Sequence, residues 1–124
     1  MRNDYQVTRK NIEALILSCF LNQNRTLPLD EIEFKDYKLP YEIFKGNKTN
    51  KIIAKAIHNL QEKKQPINDE IILDYIQERM TINPNDYFEV SNYTWCTFDT
   101  AVDYIERLKV IDADEIKLSL LRGL

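Results

Sequence analysis

The sequence has few of the residues that sharp turns and catalytic sites need. Its 124 residues include two glycines, four prolines and one histidine. So few glycines argue against a sheet-rich fold with many tight turns and against a glycine-rich phosphate loop. No GxxxxGK[ST], GxGxxG or GxSxG motif occurs, so the sequence predicts neither a nucleotide pocket nor a nucleophile elbow. The longest apolar run is broken at Ser18 and is too short to span a bilayer, and the polar start does not resemble a signal peptide.

The charge balance limits the possible functions further. Apolar residues make up 44% of the chain and charged residues 30%, as in globular proteins, and the net charge is −3. A domain that binds nucleic acid by neutralising phosphates is usually basic. Lysines cluster only between residues 45 and 64. We expect these lysines to form a solvated face and loop, with a contact to DNA as the alternative.

The two cysteines, Cys19 and Cys96, do not form a CxxC motif, and each falls within an apolar pattern. We therefore expect two reduced, buried thiols in a cytoplasmic protein, with a disulfide as the alternative.

Helical periodicity accounts for most of the chain. Apolar residues at i, i+3, i+4 and i+7 predict main helices over about 9–23, 49–64 and 69–80 and from 98 onward. Shorter helices are expected around 29–34, 40–45 and 84–91. The predicted fold is therefore all-α: a compact multi-helix bundle with helical hairpins and a long C-terminal helix, in a single domain over 1–124.

Polar residues mark the predicted starts of these helices. Thr8, Asn68 and Thr97 are expected to act as N-caps, and Asn83 precedes a proline at the first helical position. In the stretch KKQPINDE, Pro66 prevents the preceding helix from continuing. Ile67 then stands at the position of a hydrophobic staple, so we expect it to turn inward although it lies in a turn.

Groups that could converge for catalysis are scarce. The single histidine, His58, lies on a charged helix face and is expected to be a solvated surface residue, because no second histidine or suitably spaced cysteine accompanies it. Cys19 lies in an apolar face and suits core packing better than nucleophilic attack. We expect no catalytic residue, no metal ligand and no cofactor in this chain.

An aromatic-rich region precedes the last helix and contains Tyr87, Phe88, Tyr93 and Trp95. Such residues fill a core, anchor a protein interface or stack on single-stranded bases. Core packing is the preferred interpretation, and the other two stay open.

The order of several residues resembles the N-terminal domain of the DnaB-type replicative hexameric DNA helicases. The first helix carries Glu13, then Leu17, two small residues and Asn24, in the order of that family. The family's Phe–Tyr region and its turn of the form P-I-D are matched here by Phe34, Tyr37 and the stretch Pro66-Ile67-Asn68-Asp69. The short tyrosine-led helix and the last helix are matched by Tyr87, Phe88, Tyr104 and Leu108. The chain departs from the family in having Asn68 for the family's aspartate, and Ser18 and Cys19 where glycines are usual. The family's glycine pair before the tyrosine helix is also absent.

The resemblance implies a non-catalytic collar domain that associates with itself, as a dimer or a ring of dimers, and helps to recruit primase or a helicase loader. The expected division is a globular body over about 9–97 and, over about 98–124, the first arm of an interaction hairpin whose second arm would be missing. The expected interaction surface comprises Ile116, Leu118, Leu120 and Leu121. The alternative is a stand-alone helical DNA-binding or regulatory protein that uses the lysines of 45–64. Membrane binding is not expected.

Overall fold

A computed structural model describes residues 2–23, 28–94 and 96–122, without the side chains of 2–8, 28–31, 116 and 119. Within this part of the chain every regular element is helical, which confirms the predicted all-α class. The order is α1 (Arg2–Leu21), α2 (Pro28–Asp36), a 3₁₀ turn (Tyr41–Ile43), α3 (Lys48–Glu62), α4 (Asp69–Gln77), α5 (Pro84–Ser91) and α6 (Phe98–Arg122).

The central helix is α1, which packs against α3, α5 and α6. Its start was predicted wrongly: Thr8 lies inside α1 rather than at its N-cap, because α1 begins at Arg2. Residues 2–7 contain no proline or glycine that would stop a helix. The later caps are confirmed, since Asn68 accepts from the Ile71 N–H at 2.9 Å and Thr97 from the Thr100 N–H at 3.4 Å.

Four aromatic rings join α1, α2 and α6 inside the core. Phe34 contacts Phe20 edge-on with ring centroids 4.9 Å apart and contacts Phe98 at 5.3 Å. Tyr37 lies against Phe20 and Phe98 at 6.1 and 5.6 Å. Edge-to-face pairs of this kind add to the stabilisation from burying the rings. The aromatic cluster therefore holds α2 and the residue after it, Tyr37, against α1 and α6.

Two side chains of α3 hold the segment between α2 and α3. Gln61 donates to the Tyr37 carbonyl at 2.8 Å and accepts from the Leu39 N–H at 2.9 Å. His58 Nδ1 donates to the Leu39 carbonyl at 2.9 Å, since a carbonyl only accepts, and its ring lies 4.8 Å from that of Tyr41. The expectation of a solvated His58 is wrong: the imidazole is half-buried and supports this segment.

The stretch KKQPINDE ends α3 before its proline is reached. The Gln65 N–H donates to the Leu60 carbonyl at 2.9 Å and the Lys64 N–H to the Gln61 carbonyl at 3.0 Å. This is the paired hydrogen bonding of a Schellman motif, and it places Lys64 in the left-handed region at φ 55°. Ile67 then turns inward as predicted and is buried in the core.

Replacing Lys64 with glycine is expected to stabilise the protein by about 0.5–1 kcal/mol, because a left-handed conformation is costly for a residue with a Cβ. Urea denaturation followed by circular dichroism would measure the change. Lys64→Ala is the matched control and should stay near the wild-type midpoint, because alanine carries the same Cβ. A lower midpoint for Lys64→Gly than for Lys64→Ala would contradict this account.

A disulfide joins Cys19 on α1 to Cys96 in the segment before α6, across 77 residues of chain, with the Cα atoms 5.5 Å apart. The expectation of two reduced thiols is therefore wrong, and the alternative of a disulfide holds. Ser18, beside Cys19, accepts from the Thr94 N–H at 3.1 Å and also bonds to the Thr94 carbonyl. The disulfide and this hydroxyl together attach the segment after α5 to α1.

Protein purified without reductant and then unfolded in denaturant should show essentially no free thiol with Ellman's reagent, and the reduced, unfolded chain should show two. Reduction, or Cys96→Ser, is expected to lower the free energy of unfolding by about 2–4 kcal/mol, because the cross-link restricts the unfolded chain. Two titratable thiols in the unfolded, non-reduced protein would contradict the disulfide.

Candidate functional site

The far half of α6 is the most exposed apolar surface of the described chain. The first half of α6 belongs to the core, where Ala101, Ile105 and Leu108 are fully buried. From residue 113 onward every described side chain is exposed, including Leu118, Leu120 and Leu121 at 53%, 67% and 66%. At 1.5 Å per residue, the exposed length from 113 to 122 extends for about 15 Å.

The exposed apolar residues of α6 do not all share one face. Val110, Leu118 and Leu121 recur at i, i+8 and i+11, which places them in a single stripe along the helix. Leu120 lies roughly opposite Leu118, because two residues advance the helix by about 200°. Of the predicted interaction residues, Leu118 and Leu121 are thus brought together and Leu120 faces elsewhere, whereas the side chain of Ile116 lies outside the described residues. Val110, 60% exposed, was not predicted, although its spacing to Leu118 and Leu121 is visible in the sequence.

Arg9 fixes the direction in which α6 leaves the body. The guanidinium of this buried arginine donates to Asp112 Oδ1 at 2.7 Å and to the Ile43 carbonyl at 2.8 Å, and it lies 3.6 Å from Glu115 Oε1. Lys45 approaches the other oxygen of Asp112 at 3.7 Å. These contacts tie α6 to α1 as far as residue 115, directly before the exposed leucines.

The orientation of Arg9 depends on Glu13, one turn further along α1. Arg9 Nε donates to Glu13 Oε2 at 3.1 Å, and the carboxylate itself is fully buried. Glu13 also accepts from the N–H groups of Lys45 at 3.0 Å and Gly46 at 2.8 Å, and from Asn50 Nδ2 at 3.1 Å. Burial raises the pKa of the Glu13 carboxyl, and the donors around it act in the opposite direction.

Gly46 is needed where it stands because of this carboxylate. A Cβ at residue 46 would lie 2.7 Å from Glu13 Oε1, closer than van der Waals contact allows. The absence of a side chain thus lets the backbone N–H of Gly46 approach both carboxylate oxygens, at 2.9 and 2.8 Å. The sequence pattern did not predict a contact for Arg9 or for Gly46. The i, i+4 spacing of Arg9 and Glu13 on one helix is the signal that could have indicated an ion pair.

The aromatic region before α6 has two kinds of member. Tyr87 is a core residue whose hydroxyl donates to Asp69 at 2.8 Å, and burial together with this carboxylate raises the pKa of the tyrosine. Ser91 donates to the same oxygen at 2.6 Å. Phe88 and Tyr93 are exposed at 39% and 46%. Core packing is thus confirmed for Tyr87 but not for Phe88 or Tyr93, and Trp95 lies outside the described residues.

The described part of the chain shows no group of three or more His, Cys, Asp or Glu side chains that could hold a metal ion. None of the helices there combines the length and the apolar character needed to cross a membrane. Comparisons with protein-family models, with curated proteins and with solved structures find no match for this chain.

Replacing Glu13 with glutamine is expected to lower the free energy of unfolding by about 2–4 kcal/mol. The amide NH₂ would face the N–H donors that now bond to the carboxylate, and the Arg9 guanidinium would lose its buried negative partner. Chemical denaturation measures this change. Glu42→Gln, at an exposed position on the nearby 3₁₀ turn, is the matched control and should change the stability by less than about 0.5 kcal/mol. Equal midpoints for the two variants would show that the buried carboxylate has no such role.

Proposed function

We propose that this chain is the non-catalytic N-terminal collar domain of a replicative DNA helicase. In this role it associates with further copies of itself and helps to recruit primase or a helicase loader in the cytoplasm. The observation that carries the proposal is the far half of α6, which extends beyond a well-packed body and exposes a stripe of apolar side chains. Exposed apolar stripes of this kind mark surfaces that bind other proteins.

The resemblance to the DnaB type supports the proposal at particular residues. Glu13, the glutamate at the family's first-helix position, is the buried carboxylate that joins α1 to the loop before α3. Where the family has an aspartate after Pro-Ile, Asn68 caps α4, and the neighbouring Asp69 accepts from Tyr87 of the tyrosine-led helix. At this departure from the family pattern the neighbouring residue therefore supplies a polar contact.

The proposed mechanism is burial of helix against helix. Fully burying an exposed leucine side chain contributes about 1.5–3 kcal/mol, so covering a stripe that contains Val110, Leu118 and Leu121 favours association. In a two-fold symmetric pair each stripe is covered by the same stripe of the second copy. ATP hydrolysis and strand separation would belong to a RecA-like domain of the full-length protein, and a Walker A motif in the same reading frame would test that assignment.

The second candidate function is that of a stand-alone DNA-binding or regulatory protein. The observation in its favour is a row of exposed lysines on one face of α3, at Lys48, Lys51 and Lys55. The net charge of −3 argues against it, because binding through phosphates requires a basic surface.

Leu118→Asp and Leu121→Asp are expected to weaken self-association by at least about 10-fold, because a carboxylate would have to be desolvated in the interface. Sedimentation velocity over a range of protein concentrations measures the dissociation constant, and circular dichroism checks that the body stays folded. Ile32→Asp, at an exposed position on α2, is the matched control and should associate like the wild type.

An unchanged association constant for both α6 variants would contradict a role of this helix in self-association. A wild-type chain that stays monomeric at about 100 µM would contradict the self-association itself.

A further inference from the structure

A groove of about 540 Å³ runs between α3 and α4, and no residue of α6 lines it. Its floor is aliphatic and is formed by Ile52 and Ala56 from α3 and Ile76 from α4, with Met80 at one end. Met80 keeps 45% of its surface exposed, and Ile52 is half-buried. The two helices therefore leave apolar surface open at the seam where they pack together.

The rim of the groove is basic along both edges. Lys48, Lys51 and Lys55 line the α3 edge at i, i+3 and i+7, and Arg79 lies on the α4 edge. No acidic residue lines the groove. Within the described chain none of these three lysines takes part in an ion pair, whereas Lys38, Lys45 and Lys109 do. Arg79 lies 3.5 Å from the Glu78 carboxylate, so the uncompensated positive charge of the groove is that of the three lysines on its α3 edge.

We propose that the groove between α3 and α4 binds an acidic amphipathic helix of a partner protein. A helix binds in a groove through apolar residues at i, i+3 or i+4 and i+7, which span about 10 Å along its axis. Lys48 and Lys55 are seven positions apart on α3, so the row of lysines has the same length. Acidic residues on the flanks of the bound helix would then face Lys51 and Lys55 on one edge and Arg79 on the other.

The groove suits a protein helix better than a nucleic acid. Bases stack on open aromatic faces, but the one aromatic ring in the groove, Tyr75, is covered by the Arg79 guanidinium at 3.6 Å from its centroid. Phosphates also gain nothing from the aliphatic floor. The exposed stripe of α6 from a second copy fits less well, because it carries both Asp114 and Lys117 and so offers no net negative charge to the basic rim.

Fluorescence anisotropy with a labelled helical peptide of about 15 residues tests the proposal. The probe carries leucines at i, i+3, i+4 and i+7 and glutamates on both flanks. It should bind the intact chain with a Kd below about 100 µM, and the affinity should fall with rising salt. Three competitors identify the occupant: the same peptide with lysines for glutamates, a peptide of residues 110–122, and a DNA duplex of equal length.

Two variants are expected to weaken the binding of the acidic peptide by at least about 10-fold each. The double variant Lys51→Glu/Lys55→Glu would repel the peptide's glutamates, and the single variant Met80→Ser would remove apolar surface from the groove. Lys10→Glu, at an exposed lysine on α1 outside the groove, is the control for a charge reversal and should change the affinity by less than about 2-fold. Circular dichroism confirms that each variant is folded.

Three results would overturn the proposal. The first is equal binding of the lysine peptide, which would leave the charged rim without a role. The second is no binding of the acidic peptide at about 1 mM. The third is a duplex or a 110–122 peptide that competes more strongly than the acidic probe, which would assign the groove to DNA or to a second copy.

The groove lies on α3 and α4, so Leu121→Asp on α6 should leave peptide binding unchanged. Failure of the helicase proposal is therefore distinguishable from failure of this one.

Discussion

The arrangement of this domain depends on one buried carboxylate. Glu13 accepts hydrogen bonds from Arg9 on its own helix, from two backbone N–H groups of the loop before α3, and from Asn50 at the start of α3. A buried carboxylate is costly unless its oxygens are satisfied, so the loop and both helices hold one relative position. Through Arg9 the same network reaches Asp112 and sets where α6 leaves the core.

The two halves of α6 therefore have different surroundings. The first half is held by the aromatic cluster and the buried aliphatic residues, and the second half is held at Asp112 and then extends into solvent. A helix fixed at one end presents its exposed side chains in a defined direction, which lowers the ordering cost of binding another helix. The groove between α3 and α4 is a second surface with a basic rim, on helices other than α6, so the two proposed protein contacts would use separate parts of the molecule.

The disulfide is the feature that fits the proposed helicase role least well. Glutathione and thioredoxin keep cytoplasmic thiols reduced, and the proposed role places the chain in the cytoplasm. The segment that Cys96 attaches is, however, also held without it, because Asn22 donates to the Ser91 carbonyl at 2.7 Å and Ser18 bonds to the backbone of Thr94. The attachment of this segment to α1 therefore has polar support beside the covalent bond.

The sequence by itself determined the all-α class, the starts of the last four helices and the inward turn of Ile67, because periodicity, caps and staples act over a few residues. The exposed leucines of α6 could also be predicted from the sequence, because apolar residues continue along the helix beyond the part that packs against the core. Only the tertiary structure decided the pairing of Cys19 with Cys96, the support that His58 gives to the Leu39 carbonyl, and the convergence of Arg9, Gly46 and Asn50 on Glu13. These contacts join residues from 4 to 77 positions apart, and most of them meet only after the helices have packed.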